Sequence, residues 1–92
     1  EARESESKII RAPFVAAKSR DADRWIITAW QNCVRPWANP PCPCMHSDPQ
    51  FADCAPGQTQ RLRGGVWFYE GRDIDTELAR IRQTLDESPA NP

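Results

Sequence analysis

"KIIRAPFVAAKS" (residues 8–19), "RDAD" (20–23) and "RWIITAW" (24–30) run consecutively, and their reading decides the fold. The first piece is rich in apolar and β-favouring residues. It reads as a strand interrupted or edged by Pro13, because proline has no N–H to give to a ladder. The aspartates of the second piece bond back to their own backbone and make a turn. In the third, alternation sends Trp25, Ile27 and Ala29 one way and Ile26, Thr28 and Trp30 the other, as in a strand apolar on nearly both sides. Together they predict an antiparallel hairpin.

Downstream, "CVRPWANPPCPCMHSDPQFADC" (33–54) holds every cysteine, the only histidine, the only methionine and five of the nine prolines. Pro36, Pro40, Pro41, Pro43 and Pro49 rule out a helix interior and disfavour a regular strand, so a long ordered loop is expected. A turn at Pro56–Gly57 then leads into a further strand. Alternation there puts Leu62, Gly64, Val66 and Phe68 on one side, taken as the core side, and Arg61, Arg63, Gly65, Trp67 and Tyr69 on the other. Adjacent Gly64 and Gly65 suggest a bulge or a close approach by another backbone. In "DIDTELARIRQTLDES", Ile74, Leu78, Ile81 and Leu85 form an apolar stripe at helical spacing. Asp73 is the expected N-cap, and Pro89 ends the run.

The resulting division is a polar arm at 1–8, a β-rich region at 9–71 containing the cysteine loop 33–54, a C-terminal amphipathic helix at 72–87 and a tail at 88–92. The fold class is mainly β, with antiparallel strands arranged like a β-sandwich. Ninety-two residues allow one core, and a domain of this size gains from added staples. The net charge is −1 and no basic stripe is visible, which argues against nucleic-acid binding by phosphate neutralisation. No apolar run reaches membrane-spanning length. The start at Glu1, without methionine, suggests a piece of something longer. Between residues 25 and 60 the only charged side chains are Arg35, Asp48 and Asp53, so the middle is expected to be buried, cross-linked or pressed against a partner.

The cysteines admit three chemistries. A c-type haem signature needs two residues between cysteines and a histidine directly after, and "CPCMH" fails on both counts. Zinc could draw on Cys33, Cys42, Cys44, His46 and Cys54, but Cys-x-Cys is tighter than the usual pairs. Two disulfides are the leading reading, with no cofactor. Cys42–Cys44 would close a strained ring, which leaves Cys33–Cys42 with Cys44–Cys54, or Cys33–Cys44 with Cys42–Cys54. Either set implies an oxidising compartment, secreted or periplasmic.

His46, Ser47 and Asp48 invite a catalytic reading, yet sequence neighbours rarely form a triad. His46 and Asp48 are kept as candidates that would complete a larger site. Trp67 and Tyr69, beside Arg61 and Arg63, could form a flat apolar face with a polar rim for a sugar ring.

"APFVAAKSRDADRWIITAW" (12–30) followed by "CMHSDPQFADCAPGQTQRLRGGVWFYEG" (44–71) resembles the closing strands of β-sandwich domains in exported bacterial proteins that act on or bind carbohydrates. The resemblance covers residues 9–71 and carries over no catalytic residue. It implies a terminal segment of a larger sandwich. The expected function is a non-catalytic module or small subunit, carbohydrate-related, whose partner is another protein chain or the remainder of a parent domain. Two alternatives stand beside it: a segment completing an enzyme's active site through His46 and Asp48, and a self-assembling, filament-like extracellular subunit.

Overall fold

A computed structural model describes residues 7–39 and 44–87. Most of the expected arm, the segment holding Pro40, Pro41, Cys42 and Pro43, and the tail with Pro89 lie outside the described residues. The element order is β1 (Lys8–Arg11), β2 (Phe14–Lys18), β3 (Arg24–Trp30), β4 (Cys33–Asn39), β5 (Cys44–Pro49), β6 (Gly64–Glu70) and α1 (Ile74–Glu87). All strand pairing is antiparallel. One sheet has the order β1-β2-β3-β6, and β4 and β5 form a second sheet of two strands.

Pro13 splits the first apolar stretch. Ala12 and Pro13, joined by a cis bond, turn the chain so that Arg11 faces Phe14 across β1 and β2. The aspartate-containing segment does turn the chain, but Ser19 closes it, while Asp23 pairs with Arg72 and Lys18. Ser19 N–H donates to the Arg24 carbonyl and the Ser19 hydroxyl to the Ala22 carbonyl, which brings β2 back along β3. Asn32, with φ of 53°, turns β3 into β4, a left-handed position that asparagine tolerates.

One face of the four-stranded sheet carries Ile9, Phe14, Ala16, Trp25, Ile27 and Ala29, and α1 lays Leu78, Ile81 and Leu85 onto it. Asp73 caps the helix: its Oδ1 accepts the Thr76 N–H at 3.1 Å and its Oδ2 the Thr76 hydroxyl at 2.7 Å. The other end is fastened to the sheet by Gln31 Nε2, which donates to the Leu85 carbonyl at 2.6 Å. Each fully buried aliphatic side chain of this layer contributes about 1.5–3 kcal/mol.

The opposite face is only partly covered. Val15 is fully buried there, where β4 and β5 approach β1, β2 and β3. Ser47 locks this junction. Its hydroxyl accepts the Trp30 N–H at 3.1 Å and donates to the Pro13 carbonyl at 2.6 Å, so a buried side chain bridges two strand ends of the main sheet.

Two expectations are corrected. Cys33–Asn39 and Cys44–Pro49 are not parts of a long loop but antiparallel strands, with a bulge between Cys33 and Arg35. In a two-stranded sheet both strands are edges, and edges accept proline, so Pro36 and Pro49 do not break them. The sides of β6 are also exchanged. Trp67 and Tyr69 pack against the core, whereas Val66 is 57% exposed and Phe68 79% exposed. The helix covers the side bearing Trp25 and Ile27, and the register places Trp67 and Tyr69 on that same side. The class is thus mainly β and antiparallel with one C-terminal helix, and its second layer is a hairpin rather than a matching sheet.

Candidate functional site

Alternation along the β4–β5 hairpin sorts its side chains. Pro36, Ala38, Met45 and Ser47 occupy one face, on which Ala38 and Ser47 are buried. Arg35, Trp37, His46 and Asp48 occupy the other. There the register sets Trp37 against His46 and Arg35 against Asp48. The indole and imidazole stack with centroids 4.0 Å apart and planes 5° from parallel. The Arg35 guanidinium lies 4.6 Å from the Trp37 ring centroid, a cation–π contact. Trp37 Nε1 donates to Asp48 Oδ2 at 2.8 Å, and His46 Nδ1 stands 3.8 Å from Asp48 Oδ1. Four side chains therefore form one connected plate on the surface of the hairpin.

His46 and Asp48 are brought together, as the candidate site required, but in company that the sequence reading did not assign. Asp48 spends one oxygen on the indole N–H, and its other oxygen is beyond hydrogen-bond distance of the imidazole. Ser47 points to the other face and is committed to Pro13 and Trp30. The triplet thus supplies no nucleophile beside the histidine. Arg35 and Trp37 were missed. Their signal was the i, i+2 spacing of Arg35 with Trp37 and of His46 with Asp48, hidden by Pro36 and by the prolines between the two pairs.

Trp67 and Tyr69 are half-buried on the side covered by α1 rather than set out as a flat face. The Trp67 ring lies over Gly65, and the Tyr69 hydroxyl accepts the Asp73 N–H at 3.1 Å. Arg61 and Arg63 precede β6 with exposed side chains, and the Arg63 backbone is held by Gln31, whose N–H donates to its carbonyl and whose Oε1 accepts its N–H.

Cys33 and Cys44 stand far apart, against the expected Cys33–Cys44 pairing, and Cys42, which both expected sets include, lies outside the described residues. Cys33 stands opposite Pro49 and Cys44 opposite Asn39, at the two ends of the ladder. Five residues of strand separate them by about 17 Å, against a Cα separation of about 7 Å at most for a disulfide. Cys33 is therefore out of reach of Cys44. No disulfide is present among the described residues. Among the described residues no three His, Cys, Asp or Glu side chains come together to hold a metal ion.

Comparison of the chain with protein-family models, curated proteins and solved structures gives no match.

Proposed function

We propose that this chain is a non-catalytic interaction module of an exported protein, working through the apolar surface left open around β6. The observation that carries this reading is the exposure of Phe68 (79%), Val66 (57%) and Ile26 (37%) on one side of the main sheet. Cross-strand pairing sets Ile26 against Phe68, so the three form a patch rather than scattered side chains. Contiguous exposed apolar surface of this kind marks a contact site. Export is supported by four cysteines in so short a chain.

The reading is tested with a dye that fluoresces on apolar protein surface. The folded chain is expected to bind it, and Phe68→Lys to abolish that binding without lowering the denaturation midpoint. A folded chain that takes up no dye at this patch overturns the proposal.

A second reading, carbohydrate binding, is supported by the hairpin plate. Trp37, stacked on His46, overlain by Arg35 and bonded to Asp48, joins aromatic rings to fixed polar groups in one surface cluster. Loss of glycan binding in Trp37→Ala but not in Phe68→Lys would favour it. Completion of an enzyme's active site by His46 and Asp48 has less support, because Asp48 is engaged with Trp37.

A further inference from the structure

The two outer strands of the main sheet are built differently. β1 is four residues long, begins with Lys8, ends with Arg11 and stops at Pro13. Charge, brevity and proline are the means by which proteins keep an edge from pairing. β6 is seven residues long and reads "GGVWFYE", with no lysine, arginine or proline. Among the described residues no strand lies along its outer side.

The hydrogen bonds fix which groups that side offers. Gln31 N–H donates to the Arg63 carbonyl and Gly71 N–H to the Asp23 carbonyl. In an antiparallel ladder bonded pairs alternate with non-bonded ones, so odd-numbered residues of β6 bond to β3. Gly64, Val66, Phe68 and Glu70 consequently direct their N–H and C=O groups outward. Two of these four are the exposed apolar residues of the patch.

We propose that β6 pairs antiparallel with β6 of a second copy, about a two-fold axis passing at Trp67. This deepens the preceding proposal by naming the occupant of the patch, and it rests on that proposal. The register is selected by chemistry. Centred on Trp67, it sets Val66 against Phe68 of the second copy and Gly64 against Glu70. A shift to Phe68 would set Val66 against Glu70, and a shift to Val66 would set Phe68 against Gly64, which has no side chain. The strip Ile26, Phe68, Val66 then continues into its own copy, and apolar cross-strand pairs stabilise a sheet. Charge agrees with self-pairing. Arg61 and Arg63 precede β6, while Glu70, Asp73 and Asp75 outnumber Arg72 at its other end, so antiparallel copies bring the basic end of each to the acidic end of the other. The same register sets Arg61 against Asp73. The product is a continuous eight-stranded sheet with both helices on one face.

The test combines analytical ultracentrifugation over a concentration series with residue-resolved amide hydrogen exchange. Expected are a monomer–dimer equilibrium and protection of the Val66 and Phe68 amides that grows with concentration. The Trp67 and Tyr69 amides, bonded to β3, should be protected throughout. Phe68→Lys should raise the dimer dissociation constant about tenfold or more while leaving the Trp67 and Tyr69 amides protected, which shows the fold intact. A chain that stays monomeric, or one that dimerises with Val66 and Phe68 still exchanging, overturns the pairing. If that monomer binds the apolar dye, the module reading stands and only the second copy is refuted, an extended segment of another protein being the remaining occupant. If it binds no dye, both fall.

Discussion

The Trp30 indole lies directly over Gly64: a Cβ placed on that glycine would stand 2.1 Å from the ring. The contact explains the paired glycines of β6. Trp30 covers Gly64 from one side of the sheet and Trp67 approaches Gly65 from the other, where an added Cβ would meet it at 3.3 Å. The close approach implied by the sequence is real, but it is made by aromatic rings and not by backbone. Gly64→Ala is expected to destabilise the chain by about 1–3 kcal/mol, since the indole must leave its seat. Gly65→Ala should cost less, needing a shift of only a few tenths of an ångström. Urea denaturation of the two variants checks the order, and an equal or reversed order would refute it.

Ser47→Ala removes a hydroxyl that serves two backbone groups at once. Trp30 N–H and the Pro13 carbonyl would lose their partner in a buried place, at about 1–3 kcal/mol for an unsatisfied group. The expected result is a fall of that size in unfolding free energy, together with faster amide exchange in β4 and β5. Exchange in the hairpin unchanged from the parent chain would show that the hydroxyl does not hold it.

Acid should weaken the first turn of α1. Hydrogen bonds from the Thr76 hydroxyl and then its N–H hold the Asp73 carboxyl below the ordinary carboxylate range, and a hydrogen bond from Arg80 does the same for Glu77. Both groups are thus more acidic folded than unfolded. Their contribution is complete above the ordinary carboxylate range and is lost as pH falls through the lowered, folded-state values. Helical circular dichroism and the denaturation midpoint should hold steady from neutral pH down to that range and then fall. Asp73→Asn keeps a capping side chain but removes one titration, so its acid loss should be shallower. A midpoint that rises on acidification would contradict the assignment.

Peptide mapping of the native chain without reduction should show no Cys33–Cys44 link. That link would require the β4–β5 ladder to be absent or slipped by several residues, because its register sets Cys33 and Cys44 at opposite ends.

What could be read from the sequence was what local chemistry decides. The β3 alternation, the turn at residues 20–23, the Asp73 cap and the stripe Leu78, Ile81, Leu85 each depend on near neighbours, and all four are present. The β4–β5 hairpin was obscured because proline signals a break in a central strand and is harmless on an edge, a distinction that only the finished topology supplies. The two sides of β6 could not be told apart, since Val66 and Phe68 are as apolar as Trp67 and Tyr69. Which pair is covered depends on where α1 lands. The plate of Arg35, Trp37, His46 and Asp48 was half legible, its members on one strand being visible only once the opposing strand was known.

The core cluster draws its side chains from β1, β2, β3 and α1, and none from β4 or β5. The molecule is therefore divisible. The sheet-and-helix layer holds its apolar interior closed without help from the hairpin, which is latched on through Ser47 and the shelter it gives Val15. Such an appendage can lift away while the remainder stays folded, as parts of a native protein open with separate free energies. The surface carrying Trp37 and the surface carrying Phe68 then belong to separate layers, free to open at separate free energies.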